Sequence, residues 1–188
     1  MLSILESQIR VVLEDLSNEQ TFKFSPEEIQ SAVQQFEAAL TKQTTPREPE
    51  FRLRMSNIGR ASCQLQQEQA GAPKGRMPYN HWVRMVIGDC VEIIMRMVLE
   101  KSDVVVTSDG DDVRGTSDID IDGKVYDIKS ASQYAFRNKW EDGFQGLYKE
   151  DDFGYVGQLY GYADAQKKEP GGWIVVDKSS GEIKVVEV

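Results

Sequence analysis

Apolar residues recur at helical spacing through the first half of the chain and at a spacing of two through the second, so helices precede strands. Leu5, Ile9, Val12, Leu13 and Leu16 share one face of a helix over residues 3–16, with Ser7, Arg10 and Glu14 opposite. A second helix marks its own start: Ser25 is an N-cap, Pro26 a first-turn proline and Glu28 the glutamate of a capping box. Ile29, Val33, Phe36 and Leu40 follow at helical period and predict a packing helix. Residues 43–54 lack an apolar period and read as a connection, and a third helix is expected over residues 56–69. After a breaker-rich loop (Gly71, Pro73, Gly75, Pro78), Val83, Ile87, Val91, Ile94 and Val98 give the stripe of a long, largely buried helix from Tyr79 to Lys101.

The period then changes. Residues 104–106, 113–121 and 124–130 read as strands, the last two joined by a turn at Asp122-Gly123. Residues 134–140 predict a short helix, and residues 141–154, with three glycines, five acids and no period, a mobile loop over the site entrance. A helix over 155–168 is expected to stop at Pro170 and Gly171, followed by strands at 173–176 and 183–188 around a turn at 178–181. The pattern is that of an α/β or α+β domain, a sheet covered by helices.

Composition adds bounds. With 188 residues, 40% hydrophobic and 28% charged, the chain suits one globular domain, which excludes disordered and collagen-like readings. The N-terminus meets Glu6 before any basic residue and has no long apolar run, so a signal peptide is not expected, and no stretch has the length to span a bilayer. The expectation is a soluble, cytoplasmic protein. Cys63 and Cys90, on different predicted helices, suffice neither for a disulfide framework nor for a four-cysteine iron-sulfur site.

Net charge is −9, unfavourable for nucleic acid on its face, but the charge is unevenly spread. Residues 1–50 hold 4 basic and 9 acidic side chains, residues 51–86 hold 6 and 1, and residues 87–188 hold 12 and 21. Arg52, Arg54, Arg60, Lys74, Arg76 and Arg84 of the middle segment are therefore candidate phosphate contacts, with ordinary solvated charge the alternative. His81, the one histidine, returns to the helix face of Glu92 and is a further candidate DNA contact. Tyr134, Phe136 and Trp140, interleaved with Arg137 and Lys139, offer base stacking or simple helix packing.

The strongest chemistry lies in Gly115-Thr116-Ser117-Asp118-Ile119-Asp120 and Tyr126-Asp127-Ile128-Lys129. Side chains two apart on a strand share a face, so Asp118 and Asp120 point together, as do Asp127 and Lys129. A surface salt bridge would explain the second pair alone. A calcium loop starting at Asp118 fails, because its twelfth position is Lys129 where a bidentate glutamate is required. In the long helix, Gly88 precedes Glu92 by one turn, an acid on a face expected to be buried. Downstream, Gln158 and Tyr162 stand one helical turn apart.

Taken in order, Glu92 in G-x-x-x-E, Asp118 in G-x-x-D, Asp127 and Lys129 in D-x-K, and Gln158 and Tyr162 in Q-x-x-x-Y resemble the PD-(D/E)XK nuclease superfamily, in its RecB-type and phage or mitochondrial exonuclease branches. The resemblance covers roughly residues 56–188 as a nuclease core, leaving 1–50 as a helical extension of the same domain. The segment Ser56-Asn57-Ile58-Gly59-Arg60-Ala61-Ser62-Cys63 is also similar to the helix that precedes the site in those enzymes. It implies a restriction-endonuclease-like α/β fold with a central mixed sheet, and a metal-dependent DNA exonuclease. A structure-selective endonuclease, or a DNA-binding recombination accessory protein with a vestigial site, are the alternatives. By the same resemblance, Glu92, Asp118, Asp127 and the Ile128 carbonyl would bind Mg²⁺ or Mn²⁺. Lys129 would act on water or transition-state charge, with Gln158 and Tyr162 positioning it or the phosphate. Asp120 remains an alternative ligand to Asp118. Some branches ligate an iron-sulfur cluster near the position of Cys63, but the later cysteines are missing here. No helicase motif is present, so processivity would come from an oligomer or a replication or recombination partner.

Overall fold

The computed structural model describes residues 3–18, 23–45, 51, 53–73, 75–101, 119–149 and 151–188. The predicted strand at 104–106, and residues 113–118 of the next, lie outside them. Five helices come first: α1 (Ile4–Asn18), α2 (Pro26–Thr44), α3 (Met55–Ile58), α4 (Ser62–Gln69) and α5 (Tyr79–Lys101). The hairpin β1 (Ile119–Ile121) and β2 (Lys124–Ala131) follows, then α6 (Gln133–Lys139), α7 (Gly143–Lys149), α8 (Tyr155–Gln166), β3 (Glu169–Asp177) and β4 (Ile183–Glu187).

The described strands form one mixed sheet in the order β1-β2-β3-β4. The β1/β2 and β3/β4 pairs are antiparallel hairpins, whereas β2 and β3 run parallel, which requires the crossover supplied by α6, α7 and α8. Strand alternation divides the core between the two faces of the sheet. Tyr126, Ile128, Ile174 and Val185 pack with Leu5 and Ile9 of α1 and Met95 and Leu99 of α5. Val125, Trp173, Val175 and Val186 pack with Phe136, Trp140, Leu147, Leu159 and Tyr162 from α6, α7 and α8. The result is an α/β sandwich with an N-terminal helical region, and among the described residues no helix is long and apolar enough to cross a membrane.

Several local expectations are met. Ser25 and Glu28 form the reciprocal capping box at α2, with Pro26 at the first position. Asp122 (φ 51°) and Gly123 (φ 77°) both adopt positive φ, the backbone of a type I′ hairpin turn. The long helix runs from Tyr79 to Lys101 as expected, but it is not largely buried: only Met95, Val98 and Leu99 are buried, and Val83, Ile87 and Ile94 of the predicted stripe are exposed, because only its C-terminal half packs on the sheet.

Others need correction. The single helix expected over 56–69 is broken into α3 and α4, because Gly59 sits against the backbone of Gly154 and a Cβ on either would collide with the other. The segment 141–154 is not a bare loop: α7 forms within it, anchored by the fully buried Leu147 and by Phe144 stacked on Trp173. The helix expected to end at Pro170 stops earlier, at Lys167 in the left-handed conformation, and Pro170 and Gly171 instead begin β3. None of the residues of α2 is fully buried, and Ile29 and Val33 remain exposed: the helix lies outside α5, tied to it by Lys101 Nζ at 2.7 Å from Glu28 Oε1.

Candidate functional site

The type I′ turn sets the register Ile121↔Lys124 and Ile119↔Tyr126. In a two-residue hairpin the residues flanking the turn exchange hydrogen bonds, so the even-numbered residues of β2 direct their N–H and C=O groups toward β1. The Ile128 carbonyl is thereby turned to the β1 side and away from β3, while Asp127 and Lys129 share the side-chain face of Val125, toward α8.

On that face, Lys129 Nζ lies 2.6 Å from Oδ2 of the buried Asp127 and donates to Gln158 Oε1 at 3.5 Å. The same ammonium stands 5.1 Å from the centre of the Tyr155 ring. Tyr162, one turn beyond Gln158, is buried in the core beneath it. The D-x-K strand and the Q-x-x-x-Y helix thus meet at Lys129. Tyr155 was not singled out from the sequence, although its position three residues before Gln158 puts it on the same helix face. Burial raises its phenol pKa, with Asp127 and Asp151 adding to the rise and Lys129 opposing it.

The approach of α8 is fixed at its N-terminus. Asp151 accepts from the N–H groups of Tyr155 and Val156, both at 2.8 Å, one to each carboxylate oxygen. It supplies the cap that Gly154, left-handed at φ 73°, cannot. The Gly59 to Gly154 crossing holds α3 against this turn, so the segment 56–63 abuts the helix bearing Gln158.

The acids are distributed over both faces of the sheet. Glu92 lies on α5, one turn beyond Gly88, where an added Cβ would stand 3.4 Å from Ser130 Oγ. That helix packs on the Tyr126 and Ile128 face, and the Glu92 carboxylate pairs with Arg96 at 3.0 Å. Asp120 is buried on the α8 side and paired with Lys168; its Oδ1 has no hydrogen-bond partner among the described residues. Asp118 precedes Ile119 and lies outside the described residues. Among the described residues no three His, Cys, Asp or Glu side chains are grouped to hold a metal ion.

No protein-family model, curated protein or solved structure matches this chain. What the site can do therefore follows from its own side chains.

Arg54, Arg76, His81 and Arg84 are exposed, and Arg60, also exposed, pairs with Glu68 at 3.3 Å; Arg52 and Lys74 lie outside the described residues. Arg84 stands close enough to Lys178, past the end of β3, to add to the burial that lowers the Lys178 pKa. Phe136 and Trp140 are core residues and cannot stack on a base, whereas Tyr134 is exposed.

Proposed function

We propose that this chain is a metal-dependent deoxyribonuclease that digests DNA from its ends, on a restriction-endonuclease-like variant of the α/β fold. The observation that carries the reading is the contact of Lys129 with both Asp127 and Gln158. Three motif residues separated by up to 31 positions in sequence meet on one face of the sheet, with Tyr162 packed into the core on that same face, where a plain surface salt bridge would need only two.

The donors suit a hard divalent cation. A buried Asp127 carboxylate and a neighbouring Ile128 carbonyl turned to the β1 side are oxygen ligands of the kind Mg²⁺ and Mn²⁺ take, with Asp118 as the further acid; Glu92, on the helix over the opposite face of the sheet and paired with Arg96, is not part of this set. Such a cation supplies polarisation of the scissile phosphate and a bound water of lowered pKa. The chain's own groups do the rest. Asp127 and the Ile128 carbonyl hold their oxygens on a rigid hairpin, and Lys129 offers positive charge to the phosphate as negative charge builds on it. Gln158 keeps the ammonium oriented, and Tyr162 anchors the helix turn from which Gln158 projects.

The test is digestion of linear and covalently closed DNA in Mg²⁺, Mn²⁺ and EDTA. Linear DNA should be degraded only with metal. Lys129→Ala should retain DNA affinity and lose turnover by roughly 10²-fold or more, the scale of removing one donor to developing charge. Equal losses of affinity and rate would make Lys129 a plain phosphate contact, and efficient cutting of closed circles would replace the exonuclease reading by an endonuclease one. Absence of metal-dependent digestion on every substrate would sink the proposal.

A further inference from the structure

We infer that the outer face of Phe153 is a stacking platform for the terminal base of a single-stranded nucleic-acid end, one ring removed from Lys129. The inference rests on the nuclease reading for the identity of its ligand.

Three rings form a column running from the core to the surface. Trp140, buried, stacks on Tyr155 (centroids 5.6 Å apart, planes at 24°), and Tyr155 stacks on Phe153 (5.6 Å, 15°). The column ends in solvent, with Phe153 66% exposed. The ring is nonetheless held in place, because the turn bearing it is fixed by the two hydrogen bonds to Asp151 and by the left-handed Gly154. A flat apolar ring fixed before its partner arrives gives up little conformational freedom on binding.

The surrounding charges indicate what stacks there. Lys139 Nζ is 4.8 Å from the centroids of both Phe153 and Tyr155. Being equidistant from the two, it lies on the Tyr155 side of Phe153 and leaves the outer face open. Lys129 Nζ lies 5.1 Å from the Tyr155 centroid, so both ammonium groups stand beside the middle ring of the column. A ligand with a planar group against Phe153 and an anion toward these two ammonium groups is a nucleotide, and an aliphatic peptide side chain would make no use of the cations. Asp151 is occupied by backbone N–H groups, whereas the exposed Asp152 beside the ring repels phosphate, so the base and not the backbone belongs on Phe153. Bases within a duplex have both faces covered, so the occupant is an unstacked end.

The experiment uses the full chain in Ca²⁺ with a single-stranded octanucleotide ending in 2-aminopurine, competed by the same strand ending in an abasic residue. Binding should change the probe's fluorescence, and the abasic end should bind about 10-fold more weakly, the scale of one stacked base. Phe153→Ala and Phe153→Leu should both abolish that preference, and Phe153→Trp should restore it; leucine keeps the apolar bulk, so a folding defect is separated from lost stacking. No binding, no preference in the wild type, or a preference that survives both substitutions overturns the inference. Digestion in Mn²⁺ is scored separately: hydrolysis without the base preference removes the platform and leaves the nuclease reading, and the preference without hydrolysis does the reverse.

Discussion

Among the described strands β4 lies at one edge of the sheet, and its outward backbone groups are met by side chains of α1. Glu6 Oε2 accepts from the Val185 N–H at 3.0 Å, while Arg10 Nη2 donates to the Ile183 carbonyl at 2.9 Å. The two side chains are joined to each other at 2.9 Å, so the pair mimics one rung of an absent neighbouring strand. Glu6→Ala strips the acceptor from a buried N–H, which costs about 1–3 kcal/mol. It also frees Arg10, but that side chain is 42% exposed and water can solvate it, so the lost ion pair adds only about 0.2–1 kcal/mol. The expected total is about 2–3 kcal/mol, against about 1 kcal/mol for Glu6→Gln, which keeps an acceptor and loses the charge. Urea unfolding followed by tryptophan fluorescence should show the Glu6→Ala midpoint lowered by about 1 M, for a denaturant slope near 2 kcal/mol/M. A Glu6→Ala variant within about 0.5 kcal/mol of wild type, the range of ordinary surface substitutions, would refute the edge-capping account. So would a Glu6→Gln variant as damaged as Glu6→Ala.

Gly59→Ala should destabilise the protein by about 1–3 kcal/mol, because the added methyl meets main chain of Gly154 that cannot rotate away. Since Gly154 opens α8, the same variant should lower any activity that depends on Gln158, measured beside its urea midpoint; wild-type stability with wild-type activity would show that the crossing tolerates a side chain. Burial, helped by Glu187, pushes the Tyr126 phenol up to about 12 from 10.0. A phenol whose folded pKa is raised contributes stability that is present below pH 10 and lost between pH 10 and 12. Relative to Tyr126→Phe, wild type should therefore lose stability across that window, by on the order of 1–3 kcal/mol, read from urea melts at each pH, and an unchanging difference would contradict it.

Much of the architecture was legible because it is written in neighbouring residues. The capping box of Ser25 and Glu28, the Asp122-Gly123 turn and the span of α5 depend on hydrogen bonds and periodicity within a few positions, so sequence suffices to specify them. The order of the motifs was legible for the same reason, as was the sharing of one strand face by Asp127 and Lys129. What a residue meets across the fold was not. The break at Gly59 needs Gly154, nearly a hundred residues away, and α7 exists because Leu147 and Phe144 find the apolar surface around Trp173. Pro170 reads locally as a helix stop, yet it heads β3 beside a register shift opposite Val125 and Tyr126, where a missing N–H is tolerated. Tyr155 joins the site only because α8 lies across the strand bearing Lys129, and Glu92 stands on the helix covering the opposite face because α5 packs there. Local propensity selects the elements, but it is burial of apolar faces between elements distant in sequence that decides which side chains share a site.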